Sequence, residues 1–168
     1  MQPSEALAVA AQVAVTLAGF AGIVVVFRPQ SVHAWSAIDR YRLVLLLMNS
    51  AVPLVLSLFG LLLLSMAPPP TAIWRWCSGV CFTAQITAFA LSSRPLTQLG
   101  PADLKAINKL VFYGTGALMF AATVLQALNF AMWNKFWPFH AGIFVHLFAA
   151  IVQFLRLILL PPRSANQL

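Results

Sequence analysis

The chain has 168 residues, of which 61% are hydrophobic and 8% charged, with a net charge of +7. A water-soluble domain carries about one quarter charged residues, so this composition, with a mean hydropathy of +0.89, excludes a soluble globule. The basic residues are scattered between apolar runs and form no basic stripe, which argues against nucleic acid as a partner.

A helix needs about 20 mostly apolar residues to cross a ~30 Å hydrocarbon core. Five stretches meet this requirement: 5–27, 42–66, 73–92, 107–133 and 137–160. They are continuous apolar runs without period-two alternation, so a β-barrel is excluded. The expectation is an all-α integral membrane protein, a five-span helical bundle forming a single domain over 1–168.

The first stretch follows MQPSEAL, which carries an acid and no base, unlike a cleavable secretory leader. It reads as a retained span. Ala6, Ala10, Ala14, Ala18 and Gly22 recur at every fourth residue along it. Small residues at this spacing let helix backbones approach closely, which is a main source of helix association in lipid. The groove could receive another helix of the same chain, a second copy, a partner helix or a lipid.

The segment FRPQSVHAWSAIDRYR then gathers Arg28, Asp39, Arg40 and Arg42. Ser36 through Asp39 fits a capping box, so the second helix should start at Ser36, about two turns before the apolar run. Pro53 lies near the middle of that run and removes one amide donor. Pro68, Pro69 and Pro70 end it.

The third stretch carries Cys77 and Cys81 on one helix face and Gln85 near its centre. With His140 at the start of the fifth stretch, the cysteines make a weak candidate for a soft-metal site or a redox pair. Packed free thiols are the plainer reading. The fourth helix should begin early, with Pro101 in its first turn and Asp103 close behind.

Thr16, Gln85, Thr123, His146 and Gln153 fall near the midpoints of their spans, and Asn49 lies further out. Polar groups in hydrocarbon must find partners, so these six could share a hydrogen-bonded layer or line a wet path. His146 can titrate near neutral pH and is the candidate for a proton-sensitive gate. No Asp, Glu, Lys or Arg sits mid-span.

Eight of the ten basic residues fall on one set of connections: Arg28, Arg40, Arg42, Arg94, Lys105, Lys109, Arg156 and Arg163. Arg75 and Lys135 fall on the other. The positive-inside rule then places the N-terminus outside and the C-terminus in the cytoplasm. Arg28, Arg40, Arg42, Lys105 and Lys109 are expected at anionic lipid headgroups. Trp74, Trp76, Trp133 and Trp137 would form an outer interfacial belt.

The stretches AVTLAGFAGIVVVFR and WSAIDRYRLVLLLMNS resemble those of small bacterial inner-membrane proteins with no established activity. The resemblance covers roughly the first third of the chain. It implies a multi-pass protein of a bacterial plasma membrane and brings no catalytic or binding residues.

Two functions follow as expectations. One is a small homo-oligomeric channel whose path is lined by the polar layer. The alternative is a non-conducting scaffold that binds a lipid or a partner helix in the Ala/Gly groove. No cofactor is expected. Nothing points to an enzyme, with a redox role for Cys77 and Cys81 a distant third.

Overall fold

The computed structural model describes residues 2–27, 31–97, 99–100, 104 and 107–159. Five long helices, and no strand among the described residues, make up the fold. They are α1 (Pro3–Phe27), α2 (Ala37–Leu64), α3 (Ile73–Thr97), α4 (Lys109–Leu128) and α5 (Phe136–Leu159). A π turn, Asn129–Trp133, extends α4 toward α5.

α1, α2, α4 with its π turn, and α5 are each long and apolar enough to cross a membrane. The outward surface agrees: Val26, Phe27, Leu110 and Leu159 are all more than 70% exposed. α3 has 25 residues, enough for about 37 Å, but it is more polar than the other four. It carries Arg75, Ser78, Gln85, Ser92, Ser93 and Arg94.

Local chemistry sets the helix starts. Ser36 accepts a hydrogen bond from the Asp39 amide at 3.3 Å, and α2 begins at the next residue. It then runs through Pro53 to Leu64. α4 begins later than the sequence suggests. Asn108 is its N-cap and accepts from the Val111 amide at 3.2 Å. Pro101 and Asp103, expected in its first turn, lie outside the described residues, as do Arg28, Lys105 and Arg163.

α5 is the hub and packs against all four other helices. α2 packs against α1, α3 and α5. The tightest packing is at the end that carries Trp74, Trp76, Trp133 and Trp137, called here the tryptophan end. Gly60 of α2 faces Leu7 of α1 and Phe139 of α5; a Cβ there would lie 2.8 Å from Leu7 Cδ1. Gly142 of α5 faces Gln126 and Cys81; a Cβ would lie 2.6 Å from Gln126 Nε2 and 3.1 Å from Cys81 Sγ. Gln126 Nε2 donates to the Pro138 carbonyl at 2.7 Å.

Two asparagines lock the same end. Asn129 is fully buried. It donates to Ser78 Oγ at 2.7 Å and to the Lys135 carbonyl at 2.9 Å, and accepts from the Lys135 amide at 2.9 Å. Asn134 adopts the left-handed conformation, φ 50°, which asparagine tolerates better than most residues. Its Oδ1 accepts from the Arg75 amide at 2.9 Å, in the first turn of α3. The α4–α5 turn thus caps a helix that starts some sixty residues earlier.

The small-residue stripe of α1 needs a correction. Ala6, Ala10 and Ala14 are buried, but the buried line continues through Leu17 and Ala21. Ala18 is half-buried and Gly22 is exposed, with nothing within 4 Å of a Cβ built there. The cause is helical geometry. Steps of four residues overshoot a turn by about 40°, so four such steps drift about 160° around the helix. The stripe begins inside the bundle and ends outside it. The buried part packs within the chain, where α1 contacts α2 and α5.

Gly60→Val should therefore destabilise the bundle by about 1–3 kcal/mol, the usual cost of overpacking. Gly22→Val should leave thermal unfolding in detergent nearly unchanged. Equal shifts of the two melting temperatures would contradict this account of the seam.

Candidate functional site

Away from the tryptophan end the helices diverge. α2 and α4 make no extensive contact. They line a cavity of about 850 Å³ that α3 and α5 complete. Its walls run from Ile38 to Asn49 on α2, Gln85 to Leu96 on α3, Phe112 to Thr123 on α4, and His146 to Arg156 on α5. By helix rise these levels extend over about 16 Å. The lining is mainly apolar, with Leu45, Met48, Phe89, Phe112, Met119 and Phe120 among its residues.

Polar groups collect at two levels. Asn49, Gln85, Thr123 and His146 lie at the level nearer the tryptophan end. The Asn49 amide Nδ2 donates to the Leu45 carbonyl at 2.8 Å. Its Oδ1 therefore faces His146 Nδ1, 2.9 Å away. A carboxamide oxygen only accepts, so Nδ1 carries the imidazole proton and donates. That leaves Nε2 as a bare acceptor. Nε2 is buried and has no protein partner, and His146 is only 2% exposed.

Gln85, 5% exposed, has no protein partner at either end of its amide. Gln153 Oε1 is likewise buried and unpartnered. Leaving such groups unpaired costs about 1–3 kcal/mol each. Total stability is about 5–15 kcal/mol, so an arrangement of three such side chains on one cavity wall is expensive as pure architecture. Thr123 satisfies its own hydroxyl on the Met119 carbonyl at 2.9 Å.

The second level holds the charges. Arg42 donates from Nη1 to Asp39 Oδ1 at 2.8 Å, and both side chains are buried. Arg156, half-buried, is within electrostatic range of both. Arg42 is thus not a headgroup contact: spacing i, i+3 brings it onto Asp39 and the helix face turns it inward. Arg40 and Lys109 are exposed at this end.

Of the six residues expected in a polar layer, Asn49, Gln85, Thr123, His146 and Gln153 line this one cavity. Thr16 does not. It is exposed on α1 and donates to the Gln12 carbonyl at 2.8 Å. Spacing along the chain gives depth, but only the packing of neighbours decides which face is inside. Arg156 and Tyr41 were missed as lining residues. The signal for Arg156 was its place three residues after Gln153.

Cys77 and Cys81 are free and fully buried. They pack in the main apolar core with Ile73, Phe139 and Ile143. His140 stacks on Phe136 with ring centroids 5.2 Å apart. No three His, Cys, Asp or Glu side chains come together as a metal cluster among the described residues.

No protein-family model, curated protein or solved structure matches this chain. Among the described residues the chain is a helical bundle with four helices long and apolar enough to cross a membrane.

The Asn49–His146 bond generates a spectroscopic prediction. In protein labelled with nitrogen-15, the His146 imidazole should show one protonated and one bare nitrogen, the Nδ1–H tautomer. Asn49→Leu, similar in volume, should abolish that preference. An Nε2–H tautomer in the wild type would overturn the assigned geometry.

Proposed function

We propose that the protein is a non-conducting membrane protein that holds a small, mainly apolar molecule in the cavity between α2, α3, α4 and α5. One observation carries this reading: an apolar cavity of about 850 Å³ with buried, unpartnered polar side chains on its wall. Ligand sites have this volume and this mixture of apolar walls with a few convergent polar groups.

A pore between copies draws less support. The polar residues line a cavity within one chain, and the route toward the tryptophan end runs into the contacts of Gly142 with Gln126 and Cys81. The binding reading needs no second copy. It also moves the site from the Ala/Gly groove, half of which is filled by neighbouring helices.

In this reading all five helices span a bacterial plasma membrane, with the exposed apolar residues of α3, Ile86 and Leu91 among them, toward lipid. The N-terminus and the tryptophan end lie outside. Arg40 and Lys109 meet anionic headgroups on the cytoplasmic side, following the positive-inside rule. Labelling with a membrane-impermeant maleimide tests this. Lys109→Cys should react in inverted vesicles and stay protected in intact spheroplasts. Lys135→Cys should do the reverse, and the opposite pattern would invert the topology.

Gly116 offers the test of binding. It lines the cavity, and a Cβ there meets nothing within 4 Å. Gly116 is exposed at the open rim of the cavity, and Gly116→Leu should obstruct that rim without a clash. The wild type should show saturable binding of 4-octylfluorobenzene by fluorine NMR in micelles. Gly116→Leu should weaken that binding at least tenfold with an unchanged melting temperature. Equal binding by both proteins, or none by the wild type, would remove the cavity as a ligand site.

A further inference from the structure

The charged end of the cavity narrows the ligand, taking the binding reading above as its starting point. Several side chains with hydrogen-bond donors line the cavity there. Tyr41 and Arg42 are buried, and Arg42 is bonded to Asp39. The Ser92 and Ser93 hydroxyls donate to carbonyls of their own helix, those of Phe89 and Ala90. Arg156 differs from all of these. It is half-buried, so part of it stays open, and its guanidinium has no hydrogen bond or ion pair among the described residues.

Negative charge is short at this end. Asp39 is the one carboxylate here among the described residues, and Arg42 holds it at 2.8 Å. Arg40, Arg94 and Lys109 are exposed around the same end and add positive charge. Taking a cation out of water without an opposite charge is unfavourable, and Arg156 also lies within electrostatic range of Arg42. An anion beside Arg156 relieves both. A cationic ligand would meet repulsion, and a neutral one would leave the imbalance as it is.

The rest of the cavity sets what the anion carries. Leu45, Met48, Phe89, Phe112 and Met119 make its wall apolar, over levels spanning about 16 Å by helix rise. An extended lauryl chain is of about this length. The volume of about 850 Å³ takes one such chain with a headgroup, and a two-chain phospholipid exceeds it. Phe89, Tyr113 and Phe120 line the cavity while 68% to 73% exposed, so its rim is open along α3 and α4, where a chain can enter from lipid. A carboxylate suits the head, because a guanidinium offers paired N–H donors to its two oxygens.

We infer that the cavity binds a single-chain fatty-acid anion, with the carboxylate at Arg156 and the chain along the apolar wall toward Met48 and Met119. Arg156 is then the residue that selects an acid over the alcohol of the same chain.

Three competitors that share one chain test this: laurate, 1-dodecanol and dodecyltrimethylammonium. Each displaces 4-octylfluorobenzene, followed by fluorine NMR in neutral micelles at a pH where laurate is ionised. Wild type and variants are compared in the same micelles, so that partitioning cancels. Arg156→Gln should weaken laurate relative to dodecanol at least tenfold and strengthen the ammonium compound relative to dodecanol. Lys109→Gln, which removes a cation of the same end that does not line the cavity, should keep the wild-type preference.

A readout on the wild type alone covers the case where Arg156→Gln does not fold. Bound laurate, labelled with carbon-13 in its carboxyl group, should ionise at lower pH than laurate in protein-free micelles, because a neighbouring cation favours the charged form. An unshifted or raised midpoint, an unchanged preference in Arg156→Gln, or an equal loss in Lys109→Gln overturns the inference and leaves the cavity a general apolar site. A phospholipid that stays on the purified protein in excess laurate, seen by native mass spectrometry, also overturns it. Failure of 4-octylfluorobenzene and all three competitors to bind overturns the binding reading itself.

Discussion

The close approach of α5 to its neighbours at the tryptophan end is the constraint on which the rest of the bundle depends. Gly60 and Gly142 remove side chains where Phe139, Leu7, Gln126 and Cys81 need the room. Gln126 adds a hydrogen bond to the Pro138 carbonyl, and Asn129 ties α3 to the turn into α5. Helices held so tightly at one end can diverge toward the other, and the cavity is where they do. The same chain thus has one end with contacts near the steric limit and one with room for a guest.

This division sorts the polar residues into two kinds. Gln126 and Asn129 sit in the tight half, and the hydrogen bonds they make join helices. They are the glue that an apolar surround rewards, because no water competes there. Gln85, Gln153 and His146 sit in the open half; both ends of the Gln85 amide are unpartnered, whereas Gln126 leaves only its Oε1 unpaired. Residue type does not separate the two groups, since both contain glutamine at comparable spacing from a span centre. Neighbouring helices make the difference, and a single sequence does not list them.

What was legible in the sequence follows the same logic. Hydropathy gave the helices, because the length of an apolar run is a one-dimensional property. The Ser36 cap was legible because capping is local. The depth of His146 and Gln85 was legible as distance from a span midpoint. Facing was not. Thr16 points outward, Gly22 precesses out of its seam, and Arg42 turns inward onto Asp39. Each of these depends on rotation about a helix axis relative to a neighbour. The Asn129 and Asn134 contacts were hidden for a related reason, since their partners lie more than fifty residues earlier in the chain.

The Asn134 contact bears on the order in which the bundle can be built. α3 is the least apolar of the five helices, with arginines toward both ends. A second acceptor for its Arg75 amide, which also donates to the Ala72 carbonyl, and the partner of its Ser78 hydroxyl are supplied by residues 134 and 129. A ribosome makes α3 well before either exists. Until the last hairpin emerges, the start of α3 lacks both of these partners, and its place among the other helices is not yet secured. The final turn of the chain is thus a clasp that closes behind a helix already made, and translation arrested before residue 134 leaves that clasp open.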